Sequence, residues 1–574
     1  MDCRFLVLID ATDAPSPTSL RLAAHVAQAG GTVIPLGRRA WLAVGGPRPP
    51  SVRRFGDWIV VGETAPTGIT HALRSPTPQE LVDDYWGRYI ALHLDETDHP
   101  CGVLRDPSGA LECVIWREND AAVLASESPD WLLAAMRPSV NIDYDGVGRV
   151  LRNPLAAWDR LLLTGAESVL PGTYQALRSV SAPQVLWSPL DWARRRLDLS
   201  IKDKKAALRD AVDHAVQGLA REDTAIACEI SGGLDSSLVA TSLVSQGQTV
   251  GAWLNTYGAD IESDERHYAA ALADRLGVTV TSLPRREGGF TRTALRAISQ
   301  GPRPGYNGID FLHDQDAAVI WRTQQIKRVF TGKGGDTVLI SSFDERVFAD
   351  LYKARGAAAL FAPSLPRIAR RTGRSVWAIV AETLRGADAV RIRPGSNLLS
   401  PDLPVGDVHP WLAGDEFGPG KRDQIAGVVD GLCFSAPSFQ TEVVDMVHPL
   451  LARPVVELCL QLTTTDLTLG RSDRRLARDA FADRLPPEIR DRRSKGDHTA
   501  FFGRMIASSL EVLRPLLLEG RLAKAGLIDR AGCEAALQLD DLIWRGRYGE
   551  LLNLIIMEAW TSTWEDRLAA LRQN

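Results

Sequence analysis

Apolar positions fall into short runs over the first third of the chain and then alternate between runs and helical stripes. Residues 5–9 (FLVLI) form a continuous apolar run ending at Asp10, and residues 58–61 (WIVV) form another; both predict strands. Residues 85–92 alternate as a half-buried strand does. The runs at 102–104 and 111–115 flank RDPSG at 105–109, whose turn chemistry predicts a hairpin. From 192 to 221 the period changes: Leu197, Ala207, Leu208, Ala211, Val212, Ala215 and Leu219 recur at helical spacing among charges and predict one linking helix. Beyond it, apolar runs at 225–230, 250–254 and 278–280 alternate with helical stripes at 238–244 and 264–276. That alternation predicts a parallel α/β sheet. A last stripe carrying Trp544, Leu551, Leu554, Met557 and Trp560 reads as core or docking surface. The chain therefore divides into a β-rich domain at 1–190, a linking helix at 191–222 and an α/β domain at 223–574.

Composition narrows the class. A chain of 574 residues has room for two or more cores. Lys+Arg 66 against Asp+Glu 71 leaves a charge of −5, which argues against general nucleic-acid coating. Seven cysteines lie scattered without a CxxC pair, the pattern of reduced thiols rather than of disulfides or zinc. No apolar stretch is long enough to span a membrane and no signal-peptide core follows Asp2 and Arg4. A cytoplasmic enzyme is the expectation.

The chemistry concentrates in two glycine loops. The run at 225–230 ends in Ser231-Gly232-Gly233-Leu234-Asp235-Ser236-Ser237, and a helical stripe follows at once. Strand, glycine turn and helix aim backbone N–H groups and a positive helix end at phosphate, with serine hydroxyls as further donors. A bare carboxylate there would repel phosphate, so Asp235 makes sense with magnesium between them. About a hundred residues on, residues 328–330 lead into Thr331-Gly332-Lys333-Gly334-Gly335-Asp336, again strand, glycine loop and acid. This loop resembles the second loop of asparagine synthetases, and the resemblance implies that Asp235 and Asp336 share the ion; two hard oxygen ligands completed by phosphate oxygens and water suit magnesium. This is not the Walker loop, because GxxxxGK[ST] is absent from both loops.

SGGLDSS resembles the pyrophosphate loop of the ATP pyrophosphatases, and TGKGGD resembles the second loop of asparagine and β-lactam synthetases. The resemblance implies an adenine nucleotide α-hydrolase-like domain that binds ATP and Mg2+ through both loops, with Gly332, Gly334 and Gly335 around the phosphates. At the variable loop position asparagine synthetases carry glutamate and β-lactam synthetases tyrosine; Lys333 here marks altered substrate chemistry, a partner for carboxylate or phosphate. Residues 442–451 (EVVDMVHPLL) are similar to a family segment whose acid, in β-lactam synthetases, works in a base dyad, making Asp445 a candidate. His448 reads as packing. Residues 492–497 (RRSKGD) look like the segment whose lysine steadies the acyl-adenylate and the oxyanion formed from it, which implies that role for Lys495. Between 344 and 437 the chain departs most, with many arginines and prolines.

The β-rich domain, with its RDPSG turn and residues 170–174 (LPGTY), resembles the Ntn-type glutaminase domain of asparagine synthetases. Those enzymes use a cysteine with a free α-amine. Here Cys3 follows Asp2 and precedes Arg4, so it reads as a structural thiol and the domain as an inactive relic. Ammonia from glutamine is then not the expected nucleophile. Among family members with an internal amine, the chain most resembles lasso peptide cyclases. These adenylate an Asp or Glu side chain of a ribosomal precursor peptide and let the N-terminal α-amine attack. That resemblance implies a leader-binding protein and a leader peptidase as partners. A β-lactam or other small-molecule amide synthetase, an ammonia-using asparagine synthetase and a non-catalytic nucleotide sensor are the alternatives.

Overall fold

The computed structural model describes residues 3–46, 48–68, 75–118, 120–178, 182–220, 225–258, 260, 264–386, 397–403, 409–492, 499–544 and 546–573. The amino-terminal region is built on two six-stranded antiparallel sheets. In one, Phe5–Asp10 pairs with Ala40–Val44 and Ala121–Ala125; in the other, Tyr85–Leu94 pairs with Trp58–Pro66 and Pro100–Arg105. Alternate residues of each strand enter different cores, because successive side chains point to opposite faces. Phe5, Val7, Ile59, Val61, Ile90 and Leu92 pack in one cluster, while Leu6, Leu8, Trp58, Val60, Tyr89 and Ala91 pack in another. The strands are thus buried on both faces, including residues 85–92, for which the alternation predicts a single buried face.

The hairpin expected around RDPSG does not form. Pro100–Arg105 and Val114–Arg117 belong to different sheets, and the turn carries the chain from one to the other. Turn chemistry is the same whether flanking strands pair or part, and long-range bonds decide it here. Arg105 donates to the carbonyls of Gly109, Leu111 and Val169 and pairs with Glu112 at 2.7 Å. The linking segment also differs from expectation: two helices, Pro189–Arg194 and Ile201–Leu219, replace one. Ser200 caps the second by accepting from the Asp203 N–H.

The carboxy-terminal region holds a five-stranded parallel sheet in the order Thr281–Pro284, Val250–Tyr257, Ile226–Glu229, Arg328–Phe330, Asp445–Val447. The strand Thr281–Pro284 begins three residues later than residues 278–280, where the apolar run predicts it. Strand order reverses between Ile226–Glu229 and Arg328–Phe330, the position at which open α/β sheets bind ligands beyond the carboxyl ends of their strands. This mixed α/β architecture agrees with the fold class expected from the sequence. No helix among the described residues is long and apolar enough to cross a membrane.

One buried lysine ties this region together. Lys421 Nζ donates to the carbonyls of Leu460 at 2.9 Å and Leu462 at 2.7 Å, closing the end of the helix Arg453–Gln461. Burial pulls its pKa down to about 8, against the pull of Asp350. Lys421→Met leaves these carbonyls without a donor, at a cost of about 1–3 kcal/mol. Thermal unfolding should show the loss as a lowered melting midpoint.

Candidate active site

The two glycine loops leave adjacent parallel strands at the same edge and pack backbone to backbone. A Cβ on Gly332 would lie 2.3 Å from the Ser236 nitrogen, and one on Gly335 would lie 2.5 Å from the Asp235 carboxyl carbon. Only glycine permits that approach. Gly232 has a φ of 79° and its Cβ would meet the Glu265 carbonyl at 2.9 Å. The Ser231 hydroxyl accepts from the Gly233 N–H, and Ser237 donates to the Gly233 carbonyl at 2.7 Å, so the loop is held in shape by its own serines. The helix Leu234–Ser245 begins at Gly233 with no side-chain cap, leaving its first N–H groups for an anion.

Asp235 and Asp336, single members of separate loops, converge on one side chain. Arg474 Nη1 donates to Asp235 Oδ2 at 2.8 Å and to Asp336 Oδ1 at 2.7 Å. Arg474 is buried, and its φ of 46° is a left-handed conformation that costs a non-glycine residue about 1–2 kcal/mol. Asp473 steadies it from behind at 3.2 Å. Arg474 thus ties the two loops together through their carboxylates, and sequence reasoning assigns it no role. Its only sequence signal is its place in the basic run at 474–478. The paired carboxylates are hard oxygen donors of the type magnesium takes. They fit that ion as two donors, with Arg474 sharing their charge.

The second loop continues into a wall of polar contacts. The His448 Nε2–H donates to the Phe434 carbonyl at 3.2 Å, which leaves Nδ1 to accept from the Thr331 hydroxyl at 2.7 Å. Burial, with Lys333 nearby, pushes the imidazole down to about 3, so it stays neutral and braces the loop. Lys333 Nζ donates to Asn307 Oδ1 at 3.3 Å and lies 5.1 Å from the Phe434 ring centroid.

Asp445 stands apart from the loops. Its strand register sets it opposite Arg328, toward the amino ends of both strands, whereas the loops leave the carboxyl ends. Both of its oxygens are taken: Arg88 of the amino-terminal region donates at 2.7 and 2.9 Å and Arg328 lies at 2.7 Å. Burial alone would raise its pKa, but Arg88 and Arg328 hold it well below the usual carboxylate range. A carboxylate so stabilised is a weak base, and its geometry is that of a tie between the two regions.

The segment containing Lys495 lies outside the described residues. Arg492, just before it, donates to the Gly232 carbonyl at 3.2 Å, pairs with Glu265 and stacks over the Tyr268 ring at 3.9 Å. The acid at the start of the helix Arg266–Leu276, Glu265, therefore anchors Arg492 against the first glycine loop. Beside Asp336 opens a cavity of about 350 Å³, walled on one side by residues 336–347 and on the other by the helix Pro419–Asp430.

Two stretches, 207–383 and 442–562, match the family model for asparagine synthase; together they cover more than half of the chain and include both loops, Asp445 and Arg474. No curated protein sequence matches the chain.

Proposed function

The chain belongs to the asparagine synthase family and is an ATP-dependent amide ligase, and from that premise we propose that it closes a macrolactam on a ribosomal peptide, as lasso peptide cyclases do. In this reading an Asp or Glu side-chain carboxylate of the peptide attacks the α-phosphorus of ATP. Pyrophosphate leaves along residues 231–237, and the N-terminal α-amine displaces AMP. The first N–H groups of the helix Leu234–Ser245 and the Arg474 guanidinium orient the phosphates and balance their charge. Magnesium held by Asp235 and Asp336 would neutralise the leaving pyrophosphate. Lys495 is the proposed partner of the oxyanion. A leader-binding protein and a leader peptidase are the proposed partners.

The observation that carries the choice of amine is Cys3. Its α-nitrogen lies in a peptide bond, and its thiol is buried, donating to the Phe5 carbonyl at 2.8 Å. Burial, with Glu127 beside it, pushes the thiol up to about 12. Such a thiol has almost no thiolate to attack glutamine, which favours an amine that arrives with the substrate. A substrate α-amine has a pKa of about 7.7–8 and is partly neutral without help. The cavity beside Asp336 falls within the roughly 300–1,000 Å³ range of pockets that enclose drug-sized ligands, roomy enough for a peptide segment.

The test is mass spectrometry of linear peptides with an N-terminal glycine and an acidic residue several positions on. They are incubated with enzyme, ATP, magnesium and the proposed partner proteins. Loss of one water with release of AMP is expected. AMP formed only with aspartate and ammonium would overturn the ring-closing reading in favour of asparagine synthesis; ATP binding without AMP in any arm would favour a sensor.

A further inference from the structure

Seven of the nine residues in the helix Val376–Leu384 are apolar, yet only Ile379 is fully buried. Trp377, Val380, Ala381 and Leu384 recur at positions i, i+3, i+4 and i+7, which sets them on one side of the helix, opposite Ile379. Trp377 is 81% and Leu384 61% exposed, so the stripe faces outward. A stripe of this spacing ordinarily seats a surface helix on its own core. Close by in the chain, the short helix Gly356–Phe361 ends in Leu360 and Phe361, and Phe361 is 89% exposed. Four of the ten large apolar side chains exposed among the described residues thus fall within residues 360–384. Apolar exposure is ordinarily scattered singly, and clustering of this kind marks a contact surface.

The charge around the stripe has one sign. Residues 351–386 carry seven lysines and arginines and one acid, Glu382, in a chain whose net charge is −5. Glu382 is itself paired with Arg374. Arg367 and Arg371 are tied to the segment that carries Arg474: Arg367 donates to the Gly470 carbonyl at 3.1 Å, and Arg371 lies 3.5 Å from Asp473. Arg355, Arg370 and Arg385 are exposed. The helix Ser364–Thr372, which supplies Arg367, Arg370 and Arg371, also packs against Val376–Leu384. The outward stripe is therefore structurally continuous with the phosphate site.

Apolar projections among charges of a single sign restrict the occupant. A second copy docking by the same face would set like charge against like charge. A nucleic acid matches the sign but offers no hydrocarbon to Val380, Ala381 and Leu384. An acidic protein would need a separate hollow for each of Phe361 and Trp377. An anionic bilayer meets both requirements without a shaped partner. Its phosphates lie at the level where aromatic side chains settle, and its acyl chains lie just beneath. We propose that residues 351–386 dock the enzyme on an anionic membrane surface. Phe361, Trp377 and Leu384 enter the headgroup region, and Arg355, Arg370 and Arg385 meet the lipid phosphates. The proposal is independent of which amine the enzyme uses.

Flotation of the purified full-length protein with lipid vesicles is the test. One set of vesicles is phosphatidylcholine alone; the other is equal parts phosphatidylcholine and phosphatidylglycerol. Binding is expected to the anionic set only and to weaken as salt is raised, because screening shortens the reach of the surface charge. The double variant Arg370→Gln/Arg385→Gln should lose about fivefold in partition for each arginine removed. Trp377→Ala/Leu384→Ala should lose at least about tenfold, since it takes away two of the entering side chains. All four positions are exposed, so ATP–pyrophosphate exchange without vesicles is expected to stay within about twofold of wild type and reports an intact fold; Trp377→Ser and Leu384→Ser, made singly, replace the double variant if it melts early. Absence of flotation with anionic vesicles overturns the proposal, and so does flotation that both double variants leave unchanged. Equal flotation with both sets of vesicles would overturn the anionic-lipid assignment. A vesicle-free dimer that the apolar variant converts to monomer would overturn it in favour of a second copy. Peptide turnover that fails in the variants only when partner proteins are supplied, with no vesicle binding by wild type, would overturn it in favour of a protein partner.

Discussion

Asp235→Ala should lower carboxylate-dependent ATP–pyrophosphate exchange by about 10²–10³-fold, the usual loss when one preorganised charge is removed from a transition-state site. Asp235 and Asp336 meet on one nitrogen of Arg474, so neither acts alone. Removing Asp235 takes away one of the two hard oxygen donors and lets Arg474 close on Asp336, filling the space that phosphate and its cation need. Asp336→Ala should do the same from the other loop. The exchange assay is read beside a thermal melt, because Arg474 loses a partner in either variant; a melt close to wild type with exchange lost is the expected pair of results. Undiminished exchange in both variants would mean that the two loops do not hold the phosphates.

Asp445→Asn should act on stability instead. The substitution leaves Arg88 and Arg328 facing a neutral amide at the join of the two regions, and breaking such a buried pair costs about 3–5 kcal/mol. The pH dependence follows from the sign of the shift. The folded carboxyl lies well below its unfolded value of about 3.9, so its stabilisation is fully present above that value and is lost as pH falls further through the folded pKa. The wild-type advantage over Asp445→Asn should therefore be flat from neutral pH down to about 5 and shrink in stronger acid. Thermal melts of both proteins across that range provide the check. A variant that melts like wild type but fails at the amine step would restore Asp445 as a base.

What the sequence reveals here is local. Both glycine loops are legible because their constraints are local: a strand end, close backbone approach and a helix start within a few residues. The alternation of strand and helix likewise shows the parallel sheet. Asp445 is harder, because its defining partner, Arg88, lies 357 positions away in another sheet system. Nothing in the segment 442–451 announces that partner. The RDPSG turn misleads for a related reason: residues 105–109 describe the turn, while Glu112, Val169 and Arg303 decide where the next strand goes. Arg303 reaches Glu112 at 2.6 Å from the other region, a contact no local pattern encodes. Arg474 hides among arginines at 471, 475 and 478, and only its left-handed backbone and its two carboxylates set it apart.

The central claim is that a substrate carboxylate attacks the α-phosphorus of ATP at the meeting of the two glycine loops. Oxygen tracing tests it most directly. A substrate with its reacting carboxylate labelled in both oxygens by 18O is turned over with unlabelled ATP in unlabelled water, and the released AMP is weighed by mass spectrometry. One 18O in the phosphate of AMP, with none in pyrophosphate, is the predicted result, and Asp235→Ala should remove it. Label in inorganic phosphate with ADP as the product, or AMP carrying no label, would contradict the account.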